Sequence, residues 1–338
     1  MTKISLIIPV YNIKPYIKEC LESIICQKFE DMEIICIDDG STDGSLEILN
    51  EYASNDNRFT IMHQENQGQG IARNNAIKIA HGEYLMFIDP DDWFENDTFE
   101  KLYNYAKSKD ANIVQFNYRE YIENTKKFKN IDFRNELKKR YKKDYSKLDF
   151  YNWKDFKNGC LYNLEMHAWT RIYKTEFIKT NNIQFAPTKK GEDQLFVNGA
   201  NLLTDKTYFY PQYFYNYRYR CNSAVNTKSK NNLEIFINLD LMSEFLKNNN
   251  LDIELKDEFI KYKQKVLEWQ YGQNLDEDIE LYLKKSKQYL PLYNYNKMIK
   301  RINNRRNFIE NIFSLKNEKE NGVKHKRLTI LGLSFRIS

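Results

Sequence analysis

The sequence predicts an α/β domain on a parallel sheet, and three observations carry that prediction. Short apolar runs alternate with segments of helical periodicity from Ile4 to Ile88. Three of these runs end in turn- or acid-bearing segments: Pro9-Val10-Tyr11-Asn12, Asp38-Asp39-Gly40-Ser41-Thr42-Asp43 and Asp89-Pro90-Asp91-Asp92. The apolar runs are continuous, as expected of strands covered on both faces by helices. Strand ends of such a layer converge on one crevice. Acid clusters at that crevice suit a divalent cation holding a diphosphate.

The elements follow in order. Ile4 to Val10 is a buried strand closed by Pro9 and Asn12, and Tyr16, Ile17, Cys20, Leu21, Ile24 and Ile25 then repeat at helical spacing. Glu33 to Ile37 is a second strand and Leu46, Leu49, Tyr52 and Ala53 mark a second helix. Phe59 to His63 is a third strand, Ile71 to Ala80 a third helix, and Tyr84 to Ile88 a strand that ends at Asp89. A helix near Phe99 to Ala106 and a strand near Ile113 to Phe116 follow.

Beyond that point the periodicity degrades. Residues 117 to 150 are rich in Lys, Arg, Tyr and Asn. A solvated insertion accounts for this composition; a lid or a surface for an anionic acceptor is the alternative. Aromatic-rich segments resume from Trp153 to Ser223, and beyond about residue 230 the chain reads as helical and strongly charged. Lys300 to Arg306 and Lys324 to Arg327 are basic, and Leu328, Ile330, Leu331, Leu333 and Phe335 add an apolar stretch. That tail suits either docking on anionic lipid or a last packed strand or helix.

At 338 residues the chain can bury a core without disulfides. A net charge of +5 is too weak to argue for nucleic acid. Five cysteines, Cys20, Cys26, Cys36, Cys160 and Cys221, form no C-x-x-C pair and read as reduced thiols. With no leader pattern and no apolar run of membrane-spanning length, the expectation is a cytoplasmic protein, with room for peripheral contact at the membrane.

Several chemistries are excluded. The turn after the first strand is Pro-Val-Tyr-Asn rather than G-x-G-x-x-G, and no G-x-x-x-x-G-K-[ST] loop exists. The histidines His63, His81, His167 and His325 are scattered without zinc-ligand spacing. Asp89-Pro90-Asp91-Asp92 is the sharpest positive signal: two carboxylates one residue apart can divide between a sugar hydroxyl and a hard cation. An acidic loop capping the following helix would look the same in isolation.

Taken in order, the segments at Pro9 to Asn12, Asp38 to Asp43, Asn66-Gln67-Gly68 through Ala72-Arg73-Asn74, and Asp89 to Asp92 resemble family 2 glycosyltransferases of the GT-A fold. The resemblance resumes at Trp169 to Tyr173 and at Gly191-Glu192-Asp193. It implies that Pro9, Tyr11 and Asn12 line the base and ribose, and that Asp39 accepts a hydrogen bond from the base. It implies Arg73 near the base and diphosphate, Asp89 on the ribose, and Asp91 on a bound Mn²⁺ or Mg²⁺. Asp38 supports the turn. Asp193 is implied as the base that deprotonates the acceptor, while Glu192 orients the site or meets the acceptor. Arg220 is implied to close over the diphosphate, with Arg218 its alternative. Trp169 is either an acceptor-sugar platform or core.

The expectation is therefore an α/β GT-A domain over residues 1–225, with a helical, basic region over 230–338. Within the first domain, 1–115 is the nucleotide-binding half, 117–155 the basic insertion and 156–225 the acceptor half. The implied activity is inverting, metal-dependent transfer of one hexosyl or N-acetylhexosaminyl unit from a UDP-sugar. The implied acceptor is a glycan or lipid-linked glycan in capsule, lipooligosaccharide or related surface polysaccharide synthesis. The absence of a Q-x-x-R-W motif argues against a processive synthase. A sugar nucleotidyltransferase is one rival, but Pro9 to Lys14 lacks its glycine-rich basic loop. An inactive glycan-binding module is the other, and intact Asp39, Asp91 and Asp193 speak against it.

Overall fold

The computed structural model describes residues 2–156, 159–162, 164, 166–220, 233–272, 279–320, 323–330 and 333–337, with side chains described through residue 304. The N-terminal part alternates strand and helix as the periodicity predicts: β1 (Ile4–Val10), α1 (Lys14–Ile25), β2 (Met32–Asp38), α2 (Ser45–Asn55), β3 (Phe59–His63), α3 (Gln69–Ile79) and β4 (Tyr84–Phe87). These strands pair in the order β3-β2-β1-β4, all parallel. Every residue of β1 is buried, which explains why its sequence is an unbroken apolar run. Register carries Val10 opposite Asp38, so the first two motif-bearing ends lie side by side.

The chain continues through β5 (Trp93–Phe94), α4 (Thr98–Ser108), β6 (Ile113–Ile122), β7 (Lys127–Ile131), α5 (Phe133–Tyr141), β8 (Phe150–Tyr151), β9 (Arg171–Lys174), α6 (Thr175–Thr180), α7 (Asp193–Leu203) and β10 (Thr207–Tyr219). The sheet extends from β4 through β9, β6, β10 and β5, with β7 added on β6 and β8 on β10. It turns mixed here: β9 runs antiparallel to both its neighbours, while β6 and β10 are parallel with register shifts between Tyr210 and Tyr215.

Residues 117 to 150, read from composition as a solvated insertion, hold the end of β6, β7 and α5. The periodicity was hidden because β7 is an exposed added strand and α5 buries only Phe133 and Leu137. The Asp132 side chain caps α5 by accepting from the Asn135 N–H at 3.0 Å. The expected division near residue 230 also moves. One compact unit runs to Phe259 and takes in α8 (Glu234–Asn248), which packs on α7.

The second unit, Ile260–Ser338, holds most of α9 (Lys256–Tyr271), then α10 (Ile279–Tyr289), α11 (Leu292–Ile312) and three strands, β11 (Phe313–Glu320), β12 (Val323–Ile330) and β13 (Leu333–Ile337). The strands form an antiparallel meander, so the region expected to be helical ends in sheet. Within this unit the Tyr282 hydroxyl donates to the Leu267 carbonyl at 2.8 Å, and Arg301 donates to Glu268 at 3.1 Å. Among the described residues no helix is long and apolar enough to cross a membrane. Cys20, Cys36 and Cys160 are buried free thiols and Cys26 is an exposed one; Cys221 lies outside the described residues.

Candidate active site

The ends of β1, β2 and β4 open onto one cavity of about 410 Å³, whose walls include Pro9, Tyr11, Asp39, Asp89, Asp91 and Arg220. Asp39 follows β2 directly and is buried. Its Oδ1 accepts from the Gln67 N–H and from Gln64 Nε2, each at 2.8 Å, and its Oδ2 from the Gly68 N–H at 2.8 Å. A carboxylate has about four acceptor positions, so one remains for a ligand. Gly68 sits at φ +92°, a conformation a side chain would strain, and this turn aims its N–H at Asp39. Asp38 supports the turn: it lies 2.7 Å from His63 Nδ1 and takes the Ser41 N–H at 3.3 Å.

Asn12 departs from its expected role. Pro9, Val10 and Tyr11 face the cavity, whereas Asn12 Oδ1 accepts the Thr42 N–H at 2.8 Å and its own N–H donates to Ser41 Oγ at 3.1 Å. At φ +47° it laces the end of β1 to the loop after β2. Its side-chain oxygen is therefore committed to the scaffold.

Arg73 departs further. The sequence placed it near the base and diphosphate, but it is buried beneath the cavity at 2% exposure. Its Nη1 donates to Glu192 Oε1 at 2.9 Å and to Asp193 Oδ1 at 3.0 Å, and its Nη2 to Asp89 Oδ1 at 2.6 Å. Burial alone would pull the guanidinium down, but Asp193, Asp89 and Glu192 hold its pKa above the usual value. Burial pushes the Asp89 and Glu192 carboxyls up, aided by the neighbouring acids and opposed by Arg73. Gly70, in the first turn of α3, permits this arrangement. A Cβ there would stand 2.4 Å from the Ala186 carbonyl oxygen and 3.0 Å from Glu192 Cβ.

Asp193 opens α7, where the positive end of the helix favours a carboxylate. Its Oδ2 accepts the Ala168 N–H at 3.1 Å while Arg73 holds Oδ1, and its side chain keeps 18% exposure. Each oxygen therefore retains an acceptor position for an incoming hydroxyl. Glu192 is not placed to meet an acceptor, because it is buried and takes hydrogen bonds from Gln69 and Arg73. Trp169 is core and not a sugar platform. It is 3% exposed and stacks on Tyr215 at 4.3 Å, on His167 at 4.7 Å and on Tyr217 at 5.6 Å.

At the other side of the cavity β10 brings in two arginines with different fates. Arg218 is locked: its N–H donates to Asp92 Oδ1 at 2.7 Å, its Nε to the Asp91 carbonyl at 2.8 Å, and its guanidinium lies 4.7 Å from the Trp93 ring. Arg220 lines the cavity, pairs with the Asp91 carboxylate and lies 4.6 Å over the Tyr16 ring. Asp92, given no role by the sequence, anchors this side by accepting from the Tyr215 hydroxyl at 2.6 Å. Sequence reasoning also missed Tyr217, Gln69 and Lys189 in the cavity wall. Tyr217 adjoins the arginines already singled out; nothing local marks Lys189.

Among the described residues no three acids, histidines or cysteines gather to enclose a metal ion. Asp91 on the cavity wall, with Asp89 beside it, nonetheless fits Mg²⁺ or Mn²⁺, which take one or two carboxylates and complete their shell with phosphate and water.

Fold and cavity together define an enzyme of the GT-A class, and the comparisons with known proteins agree. Residues 5–165 match the glycosyl transferase family 2 model. The chain is 33% identical over 236 residues to glycosyltransferase GlyG of Streptococcus pneumoniae serotype 4, across 67% of this chain and 73% of that protein. It is 32% identical over 246 residues to glycosyltransferase GlyA of the same organism, but there it spans 34% of the relative's length. The solved structure of S. aureus TarS 1–349 in complex with UDP superposes with a TM-score of 0.55 at 19% identity, over 96% of each chain. The chain belongs to glycosyl transferase family 2.

Proposed function

We propose that this glycosyltransferase moves a single sugar, with inversion, from a UDP-sugar to a glycan acceptor in cell-surface polysaccharide synthesis. The observation that carries the reading is the convergence of Asp39, Asp89, Asp91 and Arg220 on one cavity, with Asp193 joined to it through Arg73. Asp39 keeps one acceptor position, the number a uracil imide N–H needs. Asp89 meets the ribose, and Arg220 offers the diphosphate a planar cation. Mg²⁺ or Mn²⁺ held at Asp91 would neutralise charge on the diphosphate. Asp193 takes the proton from the acceptor hydroxyl as that oxygen bonds to the anomeric carbon. The bond from that carbon to the diphosphate breaks, and nucleoside diphosphate leaves.

The UDP assignment draws support from the TarS 1–349 structures with UDP and with UDP-GlcNAc. The surface-polymer assignment draws on the poly(ribitol-phosphate) β-glucosyltransferase of Bacillus spizizenii, 35% identical over 221 residues but matched over 32% of its length. Peripheral membrane contact belongs to the same reading, with the basic segments Lys300 to Arg306 and Lys324 to Arg327 and the apolar stretch after them as its basis. The test is UDP release from a panel of UDP-sugars with Mn²⁺ and candidate acceptors, followed by mass spectrometry of the product. Transfer that stops on chelation supports the reading. No turnover with any donor would favour a binding module.

A further inference from the structure

We infer that Arg73 is the positioning residue for the acceptor base: it fixes the Asp193 carboxylate, ties it to the donor-side turn at Asp89, and does not contact the diphosphate. This rests on Asp193 being the base. The geometry is specific. One buried guanidinium joins three segments distant in sequence: α3, which carries it, the end of β4 at Asp89, and the start of α7 at Glu192 and Asp193. Its Nη1 forks between Glu192 and Asp193, and its plane lies 5.2 Å from the Phe185 ring. Arg220 stands on the cavity wall, whereas Arg73 is 2% exposed with both terminal nitrogens already on carboxylates, so a diphosphate seated there would meet Arg220 first. Asp193 is held on both oxygens, by Arg73 on one and the Ala168 N–H on the other. That leaves its carboxylate little rotation. A base held in one orientation is what an in-line displacement needs.

The groups facing Asp193 are Arg73 from α3, Glu192 beside it, Asp89 from the end of β4, and the Tyr173 hydroxyl from β9. Arg73 is the cation among these and the one that hydrogen-bonds the Asp193 carboxylate. A lysine would keep the charge and lose the planar fork that reaches two carboxylates from one nitrogen and a third from the other.

The experiment is Arg73→Lys in the full chain, with kcat, donor KM and UDP affinity by calorimetry measured together. The expected result is a fall in kcat of about tenfold to a hundredfold. Donor KM and UDP affinity should stay within about twofold. A tenfold loss of UDP affinity with kcat within about twofold of wild type would make Arg73 a donor ligand and overturn the inference. So would an unchanged kcat, or a lower melting temperature with kcat intact. Should Arg73→Lys not fold, Phe185→Leu removes the ring beside the guanidinium together with its packing on Phe87 and Phe196, so its melting temperature is measured alongside. It should lower kcat by about twofold to fivefold with donor KM unchanged, and a loss confined to KM would overturn the inference. Failure of the base assignment is read separately, as an active Asp193→Asn enzyme.

Discussion

Two arginines are set against aspartate, one buried behind Asp89 and one on the cavity wall, and the two pairs differ in kind. On the buried side, the floor, Arg73 is 2% exposed and answers three acids at once. On the rim Arg220, directly after β10, keeps 24% exposure and answers the Asp91 carboxylate. Losing one partner of a buried pair strands a charge without water, at a cost of about 3–5 kcal/mol. A pair that solvent reaches can exchange partners at little cost. In the proposed reading, floor and rim separate holding the acceptor base from gripping the diphosphate.

Substitutions on the two sides should break apart by what they change. Asp193→Asn, on the floor, should lower transfer by about 10²–10⁴ while UDP affinity, read by calorimetry, stays within about twofold. An active variant would remove the base assignment. Asp91→Ala, on the rim, should do the reverse. We expect UDP binding in Mn²⁺ to weaken by about tenfold or more, equal to about 1.4 kcal/mol. Chelation should bring wild type down to the variant and leave the variant unmoved. Arg220→Met should weaken UDP binding by about threefold to tenfold with the pH profile of kcat unchanged; a shifted profile would mean that rim and floor are one electrostatic unit.

The last effect falls on stability and belongs to Glu192. Burial and the adjacent Asp193 push its carboxyl up to about 7, against the pull of Arg73. A carboxyl raised on folding favours the protonated native state. Its stabilising share is therefore present below its unfolded value of about 4.3 and declines as pH climbs toward the folded value. Glu192→Gln, which keeps an amide oxygen for Gln69 and Arg73, should melt like wild type at pH 4. By pH 8 it should be more stable by about 1–3 kcal/mol. Melting curves across that range decide it: equal curves at pH 8 would mean that the floor carries its excess acid without strain.

The donor side was largely legible in the sequence because it is built from local signals. β1, β2 and β4 are buried on both faces, so their apolar runs announce strands, and the residues that end them fall in the crevice by geometry alone. That placed Asp39, Asp89 and Asp91 from pattern. Arg73 was misplaced because the acids that claim it lie as far as 120 residues along the chain, and a helix arginine looks the same exposed or buried. Trp169 stayed ambiguous for a similar reason. Its burial depends on Tyr215 and Tyr217, which reach it only once β10 lies beside β6. β7 and α5 were hidden by composition, since too few of their side chains are buried to leave a periodicity.

Gly70 has a consequence for recombination between relatives. With Ala186 and Glu192 pressed against it more closely than any side chain allows, α3 and the segment leading to α7 are fitted to each other as one joint. A chimera that changes acceptor specificity by replacing the second half of the catalytic unit would carry a foreign surface onto that glycine. Crossovers after residue 193, or exchanges that bring α3 along with the incoming segment, keep the joint whole. Crossovers between α3 and α7 would have to recreate it from two unrelated sides.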